Sequence, residues 1–249
     1  MVECLAENRG FGGANNIGAR CTRGEFILLV NSDAFILNDA IKTMREYLLA
    51  HPNVGVVGPR LLNTDGSFQE SRFSFPSPAR AWAENLGLGR LKKLMPLRRS
   101  YYSGRVDWLS GACLMIRRSV WEAMRGFDEA FFLYSEETDL QLRIRREGWE
   151  IHWVPDALVT HLGGGSGGAQ KEEVREFFFE GVDRYFLKHH GKLGAFALRG
   201  ATMVGGTLRW LEASAKAQPE RKKEAGWIVK RQVTRPFPKV NGLRSGNIH

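Results

Sequence analysis

The chain of 249 residues lacks three features that would place it in a specialised class of protein. It has no run of eighteen uncharged apolar residues, so the sequence predicts no membrane-spanning helix. Its first residues carry no basic stretch followed by a long apolar stretch, so we expect no signal peptide. Its three cysteines, Cys4, Cys21 and Cys113, have no pair at metal-site spacing, which favours a reducing cytoplasm over a disulfide or zinc framework.

Positive and negative charges balance in most of the chain, and the excess of positive charge lies at its C-terminal end. Residues 189–249 contain 12 lysines and arginines against 3 acidic residues, whereas residues 1–188 contain 24 of each. A basic tail can bind an anionic membrane surface or a nucleic acid, or it can be a solvated extension. Nucleic-acid binding would need stacking aromatics among the basic residues, and the tail offers Trp210, Trp227 and Phe237. We therefore favour the membrane surface and consider nucleic acid unlikely to be the partner.

Short apolar runs alternate with helical patterns along the chain, which predicts an α/β domain around a largely parallel sheet. A turn is predicted at Asn63–Gly66. Residues 73–105, which are rich in proline and basic residues, are predicted to be a long mobile insertion. The predicted strands are Glu25–Val30, Val54–Gly58, Asp107–Ile116 and Glu150–Thr160, and the predicted helices are Ala14–Cys21, Asn38–Ala50, Val120–Met124, Ser135–Glu147, Glu172–His189 and residues 191–213.

The glycine-rich segment Gly10–Gly18 predicts a turn that enters a helix. It does not match a dinucleotide-binding loop, because Asn15 occupies the place of the third glycine and the segment precedes a strand.

Two polar residues, Asp33 and His161, lie at the ends of predicted strands. Asp33 follows a buried strand, where ligands of α/β sheets bind, and it suits a hard cation that bridges phosphates; an Asx-turn is the structural alternative.

Glu136, Glu137 and Asp139 fall in the first turn of a predicted helix, after Ser135 as the expected N-cap. Acids there favour the helix dipole, yet three within four residues repel one another unless a cation or an arginine relieves them. Arg143 lies one turn after Asp139 and is expected to pair with it, which leaves the two glutamates available for a site.

His161 ends a predicted strand and opens the glycine-rich segment Leu162–Gly168. A histidine buried in the core is the ordinary interpretation of such a position. The glycine-rich segment instead suggests a loop that closes over a ligand, and a neutral imidazole is a common ligand for a transition metal.

Several segments together resemble the family 2 inverting glycosyltransferases, and among them the rhamnosyltransferase-like enzymes of bacterial polysaccharide synthesis. The segments are Asn8–Gly18, Leu29–Ala34, Trp108–Arg118, Gly126–Glu129, Tyr134–Leu140 and Thr160–His161. The resemblance implies a GT-A fold, which is a Rossmann-like, mostly parallel sheet flanked by helices. It also implies a nucleotide-sugar donor and a divalent cation, Mg²⁺ or Mn²⁺.

The same resemblance implies roles for individual residues. Glu137 falls on the general base that deprotonates the acceptor hydroxyl, with Glu136 and Asp139 beside it in the catalytic cluster. Asp33 and His161 fall on metal positions. The resemblance assigns donor binding to Asn8, Gly10, Asn15, Asn31 and Asp33, with Asn31 in place of a first aspartate, and acceptor binding to Trp108, Ser110 and Gly111.

We expect a GT-A core over residues 1–188, incomplete at its N-terminus, and a basic helical extension over residues 189–249. The resemblance implies that two βα units that hold the nucleotide base are missing, and a misassigned start, a fragment and a true loss are all left open. The expected activity is transfer of a sugar, with inversion, from a dTDP-rhamnose-like or other NDP-sugar to a polysaccharide or lipid-linked acceptor.

The expected location is the cytoplasm, peripherally on the inner face of the plasma membrane, and homo-oligomerisation is left open. The alternative function is that of a non-catalytic, degenerate homologue which serves as a binding subunit in a polysaccharide assembly complex.

Overall fold

The computed structural model describes residues 5–88, 103–163 and 171–239. The chain forms two compact units, the first drawn from residues 1–75 and 100–181 and the second from residues 76–99 and 182–249. The second unit begins close to the predicted division between residues 188 and 189, and it also takes in residues 76–99.

The described residues form strands and helices in mixed order. The strands are β1 (Phe26–Val30), β2 (Ala34–Ile36), β3 (Val54–Leu62), β4 (Phe68–Gln69), β5 (Arg72–Phe73), β6 (Gly104–Arg105), β7 (Trp108–Leu109), β8 (Cys113–Arg117) and β9 (Glu150–His161). The helices are α1 (Gly10–Arg20), α2 (Ala40–Ala50), α3 (Pro78–Asn85), α4 (Arg118–Ala123), α5 (Glu136–Arg146), α6 (Lys171–Ala215) and α7 (Pro219–Thr234).

The main sheet has the strand order β1-β8-β3-β9-β2, with β4 added to β3 and β6 added to β9. Strands β3 and β9 pair in parallel, and the other pairs in this sheet are antiparallel. The α/β class is therefore confirmed, whereas the sheet is mixed and not largely parallel. Strand β8 runs opposite to both of its neighbours, and the apolar runs from which we predicted strands carry no information on direction.

Helices cover both faces of this sheet, which is why β3 reads as a nearly uninterrupted apolar run. On one face, Leu140 and Ile144 of α5 pack with Ile116 and Trp153 of the sheet. On the other face, Met44 and Leu48 of α2 pack with sheet residues that include Val57. The two core clusters hold the ends of the strands in fixed positions, and the polar residues discussed below lie at those ends.

The predicted mobile insertion at residues 73–105 contains a helix. Ser77 caps α3, because its Oγ accepts a hydrogen bond of 3.3 Å from the backbone N–H of Arg80, and Pro78 occupies the first turn. Proline was therefore a helix-start signal here and not a mark of mobility. The remainder of the prediction, over residues 89–102, lies outside the described residues.

The second unit contains α3, the part of α6 that follows Gly181, and α7. Gly191 has a φ of 65° and divides α6 into two helical segments, close to the predicted break between residues 189 and 191. A buried carboxylate joins α6 to α7: Asp183 Oδ2 lies 3.0 Å from Arg199 Nη2 and 3.2 Å from Arg231 Nη1. None of the helices described in the structure combines the length and the apolar character needed to cross a bilayer.

Candidate active site

Asp33 and His161 meet at one end of the main sheet. The chain leaves β1 at Asn31, whose N–H donates a 3.0 Å hydrogen bond to the carbonyl of Ala112, and it returns as β2, where Ala34 pairs with His161. Asp33 is buried, and its Oδ1 lies 3.3 Å from Nε2 of His161. The fold therefore brings together the two residues that we predicted as metal ligands from distant parts of the sequence.

Gln69 supports His161 from β4, and we did not predict a role for it. Gln69 Oε1 lies 2.8 Å from His161 Nδ1, and Gln69 Nε2 donates to the His161 carbonyl at 3.1 Å. The one available signal was the predicted turn at Asn63–Gly66, because a strand that returns after this turn places Gln69 opposite Leu61 of β3. The segment that follows Gly163, predicted as a closing loop, lies outside the described residues up to residue 170.

The acidic cluster lies at the start of α5. Tyr134 and Ser135, directly before it, both have a φ of 69°, a left-handed conformation that costs on the order of 1–3 kcal/mol per residue. Ser135 occupies the N-cap position, but its side chain makes no capping hydrogen bond, so its predicted capping role is wrong. The left-handed backbone turns the chain sharply and delivers the next two glutamates into the interior.

Burial changes the acidity of both glutamates. Burial and the neighbouring Glu137 raise the pKa of Glu136 to about 9. Burial also raises the pKa of Glu137, but backbone N–H groups of Ser135, Glu137 and Thr138 oppose that rise by stabilising the carboxylate. Burial therefore favours the protonated form of both side chains, while the backbone N–H groups at the start of α5 favour the charged form of Glu137.

Both glutamates retain an oxygen available for a further interaction. Among the described residues, Glu136 Oε2 and Glu137 Oε2 are buried without a hydrogen-bond partner. A buried oxygen without a partner is costly in a folded protein, and such positions are a feature of functional sites. Oxygen atoms of this kind suit contact with an incoming hydroxyl group.

Asp139 has a structural environment, although we predicted it among the catalytic acids. It is fully buried, and its Oδ2 accepts a 2.8 Å hydrogen bond from Arg143 Nε, which confirms the expected pair. Arg143 also donates to the carbonyls of Met124 and Gly126, at 2.7 and 2.9 Å. Asp139 therefore anchors α5 to the loop that follows α4.

One of the predicted acceptor-side residues, Gly111, lies next to Glu137. A Cβ built on Gly111 would lie 3.4 Å from Glu137 Cγ, so the backbone of this loop runs directly along the glutamate side chain. Ser110 donates its N–H to the carbonyl of Ser71 at 2.9 Å. Trp108 stacks on Phe73, with ring centroids 4.6 Å apart, and forms an aromatic surface beside the loop.

Gln141 fixes this loop relative to α5, and we did not predict a role for this residue. Its fully buried side chain accepts from the N–H of Leu109 at 2.8 Å and donates to the carbonyl of Leu109 at 2.7 Å. The amide thus pairs with the backbone N–H and carbonyl of Leu109 in β7, as a neighbouring strand would. Glu137, one turn earlier on α5, is held against the loop as a result.

The predicted donor-binding residues of α1 make local contacts. Asn8 Oδ1 accepts a 2.9 Å hydrogen bond from the N–H of Gly10, and Asn15 Nδ2 donates to the carbonyl of Phe11 at 2.8 Å. Gly10 has a φ of +69°, and a Cβ there would lie 2.3 Å from the carbonyl oxygen of Phe132, so no other residue fits. Their role in donor binding stays a prediction.

Asn16, which we did not predict, links α1 to the segment before the acidic cluster. It donates to the Phe127 carbonyl at 3.0 Å and to Glu129 Oε1 at 2.9 Å, and it accepts from the Phe127 N–H at 2.9 Å. Gly126 precedes this contact with a φ of +68°, and a Cβ there would lie 2.3 Å from Asn16 Oδ1. The Gly126–Glu129 segment therefore has a packing role.

The residues around Asp33 fit a divalent cation. A carboxylate, an imidazole and an amide oxygen suit Mn²⁺, and the oxygens suit Mg²⁺. Asn31 Oδ1 is buried and has no hydrogen-bond partner among the described residues, which is the situation of an oxygen available to a ligand. Within the described ranges, no group of three His, Cys, Asp or Glu side chains has metal-site geometry.

The fold is that of the GT-A type. A mannosyltransferase of Pyrobaculum calidifontis, solved in complex with GDP-Man and Mn²⁺, shares the fold, with a TM-score of 0.51 and 16% sequence identity. The superposition covers 91% of this chain and 64% of that one. The family model of the glycosyltransferase like family 2 matches residues 1–180, and the chain belongs to this family.

Two curated relatives are more similar in sequence. The chain is 31% identical over 144 residues to N-acetylglucosaminyl-diphospho-decaprenol L-rhamnosyltransferase of Mycobacterium tuberculosis. This match covers 55% of the chain and 47% of that protein. It is 33% identical over 156 residues to the low-salt glycan biosynthesis hexosyltransferase Agl10 of Haloferax volcanii, which covers 58% and 46%. The matches span about half the length of these relatives, and the resemblance to rhamnosyltransferase-like members of family 2 is confirmed.

Proposed function

We propose that this protein transfers a sugar, with inversion, from a nucleotide-sugar donor to a polysaccharide or lipid-linked acceptor. The observation that carries the proposal is the placement of Glu137, whose side chain is partly exposed, has a buried oxygen without a partner among the described residues, and lies where a Cβ on Gly111 of the acceptor-side loop would touch it. Asn31, which leads to Asp33, is hydrogen bonded to Ala112, the next residue of that loop. The base and the predicted donor site are thus connected through adjacent backbone.

In this mechanism Glu137 removes the proton from the acceptor hydroxyl. The hydroxyl oxygen forms a bond to the anomeric carbon of the donor while the bond from that carbon to the diphosphate oxygen breaks on the opposite face. The product sugar is inverted, and the nucleoside diphosphate leaves with the bonding electrons. Glu136, which holds its proton near neutral pH, limits the negative charge around the base.

Asp33, His161 and Asn31 are the residues that would hold Mg²⁺ or Mn²⁺. A bound divalent cation supplies electrostatic stabilisation of the negative charge that develops on a leaving diphosphate. The fit of these side chains and the Mn²⁺ complex of the Pyrobaculum mannosyltransferase support this assignment. The two carboxylate functions are then separate, because Asp33 acts on the donor side and Glu137 on the acceptor side.

The names of the relatives support the choice of substrates. We propose a dTDP-rhamnose-like or other NDP-sugar as the donor, because one relative is a rhamnosyltransferase. We propose a lipid-linked acceptor because the same relative acts on a diphospho-decaprenol. A lipid-linked acceptor favours a protein that works on the cytoplasmic face of the inner membrane, in contact with anionic lipid. A non-catalytic binding subunit is the alternative function.

Replacement of Glu137 tests the proposed base. We expect Glu137→Gln to keep its fold and its affinity for the donor. Its transfer rate is expected to fall by about 10²–10⁴-fold, because the variant lacks the general base that accepts the proton of the acceptor hydroxyl. Steady-state kinetics, with circular dichroism for the fold, measure this effect. Glu136→Gln is the matched control and is expected to retain most of its activity.

Two outcomes would contradict these assignments. Activity that survives in Glu137→Gln but is abolished in Glu136→Gln or Asp139→Asn would place the base elsewhere in the cluster. A wild-type protein that binds the acceptor glycan and transfers no sugar from any tested NDP-sugar would favour the binding subunit.

A further inference from the structure

A chain of hydrogen bonds runs from an exposed turn to His161. It begins at Asp65 Oδ1, which accepts from the Ser67 hydroxyl at 2.6 Å. Ser67 Oγ accepts from Asn63 Nδ2 at 2.9 Å, and Asn63 Oδ1 accepts from Gln69 Nε2 at 3.0 Å. Gln69 Oε1 then faces His161 Nδ1 at 2.8 Å. Every link is a side-chain hydrogen bond, and all members except His161, which lies on β9, belong to one turn and to the strand β4 that follows it.

The direction of this chain is set at its exposed end. Hydrogen bonds from the Ser67 hydroxyl and the Ser67 N–H lower the pKa of Asp65, so this side chain is an ionised carboxylate that can only accept. The single proton of the Ser67 hydroxyl is therefore committed to Asp65, and its oxygen must accept from the amide nitrogen of Asn63. The amide oxygen of Asn63 is then left to accept from Gln69.

The same logic fixes the amide of Gln69. Its nitrogen has two carbonyl-type acceptors, Asn63 Oδ1 and the His161 backbone carbonyl at 3.1 Å. A rotated amide would place an oxygen against both of these oxygens, which is unfavourable. Gln69 Oε1 must therefore face the imidazole, and His161 Nδ1 must be the donor in this contact.

We propose that this hydrogen-bond chain selects the Nδ1–H tautomer of the neutral His161 ring over the Nε2–H tautomer, so that Nε2, which faces Asp33, is the nitrogen available to a cation. Gln69 is the positioning residue. The tautomer follows from the chain itself, whereas its purpose rests on the metal site of the proposed function. In the opposite tautomer, Nε2–H would donate to the Asp33 carboxylate and occupy the position of the cation.

The spacing of the two groups agrees with this purpose. Ligands at about 2.1 Å from an octahedral ion are about 3 Å apart when they are neighbours in its coordination sphere. The observed 3.3 Å between His161 Nε2 and Asp33 Oδ1 is close to this value. Histidine ligands of metals commonly donate their second N–H to a supporting acceptor, and Gln69 occupies that position.

Nitrogen NMR of the metal-free protein tests the tautomer without reference to activity. At about pH 8, where an ordinary imidazole is neutral, we expect long-range ¹H–¹⁵N correlations to show Nδ1 of His161 protonated and Nε2 bare. Gln69→Leu removes the acceptor, so we expect His161 to change to the Nε2–H form. Gln218→Leu, a control in the second unit, is expected to change nothing.

Calorimetric titration with Mn²⁺ tests the purpose. Loss of a supporting partner of a metal-bound histidine typically weakens metal binding by about 10–100-fold, and we expect this loss in Gln69→Leu. Gln218→Leu is expected to bind Mn²⁺ nearly as the wild type does. Asp33→Ala removes a proposed ligand and is expected to weaken binding further.

The two experiments separate the inference from the proposed function. Wild-type His161 in the Nε2–H form would overturn the inference, whether or not Mn²⁺ binds and whether or not the variants fold. Retention of the Nδ1–H form in Gln69→Leu would also overturn it. Wild-type His161 in the Nδ1–H form without measurable Mn²⁺ affinity would support the inference on the tautomer and contradict the metal in the proposed function.

Discussion

At the scale of single residues, Glu136 and Glu137 are adjacent acids of the same type that differ in their surroundings. Glu136 is more than nine-tenths buried and its proton is held by burial and by its charged neighbour. Glu137 receives backbone N–H groups at the start of α5, which favour its charged form. Two adjacent side chains of the same type therefore have different environments within the first turn of one helix.

The raised pKa of Glu136 makes stability depend on pH. The folded protein retains a proton up to about pH 9 that an ordinary glutamate releases near 4.5. The stabilisation is therefore fully present below pH 4.5, and the free energy of unfolding falls as the pH rises from 4.5 toward 9. In Glu136→Gln, which stays neutral, we expect a shallower decrease in urea denaturation between pH 5 and 8.5. Identical slopes for the two proteins would show that Glu136 is ionised in the fold.

The positions of candidate site residues were predictable where these residues lie at the end of a strand or the start of a helix. Asp33, His161 and Glu137 follow from such positions and from family resemblance. Gln69 and Gln141 did not stand out, because their function is to contact backbone or side chains far away in the sequence. An amide side chain that satisfies a distant strand edge leaves no local pattern.

At the scale of elements, the two arginines at the junction of β8 and α4 hold other elements in place. Arg118 donates to the carbonyls of Gly24 and Ala19, next to the end of α1. Arg117 donates to the Leu48 carbonyl, to Val54 at 2.7 Å and to His51 at 3.1 Å. A segment that carried part of the family resemblance thus includes residues whose contacts are structural.

Loss of Arg117 tests this role. Arg117→Met keeps the apolar stem but leaves the carbonyls at the end of α2 without their donor, so we expect the free energy of unfolding to fall by about 1–3 kcal/mol. Urea denaturation measures the change, with Arg45→Met, an exposed arginine of α2, as the control. Equal stability of the two variants would contradict a capping role for Arg117.

Elements were predicted better than their directions. The apolar runs correctly located β1, β3 and β9, and the helical spacing located α2 and α5, because burial on both faces imposes these patterns. Strand direction depends on which strands meet in space, and β8 runs antiparallel to both neighbours for that reason. The helix α3 was not predicted, because Pro76 and Pro78 favour a loop when the sequence is considered alone.

At the scale of the whole molecule, apolar side chains remain exposed along α6 after Gly191. They form one helical stripe of Leu193, Phe196, Val204, Leu208 and Leu211, with exposed fractions from 39% for Val204 to 86% for Leu193. Exposed basic side chains occur on α6 and α7, among them Lys192, Arg209 and Lys222. Apolar burial and attraction to anionic lipid add when a helix lies in a membrane interface.

We predict salt-sensitive binding to anionic membranes. Each basic residue near an anionic surface contributes about 1 kcal/mol, so we expect sedimentation with anionic vesicles at low salt and release at high salt. Phe196→Ser together with Leu211→Ser should weaken binding, whereas Ile41→Ser, exposed on α2, should not. Equal and salt-insensitive binding to neutral and anionic vesicles, or no binding to either, would leave the tail as a solvated extension.

The position of β2 in the sheet has a consequence for kinetics. This strand has three residues, lies at the edge of the sheet and pairs with β9 alone in the strand order. Short edge strands open locally at a much lower free-energy cost than global unfolding. Each opening would carry Asp33 away from His161, so the residence time of a bound ion would be governed by the fraying rate of β2 as much as by the strength of the ligand bonds.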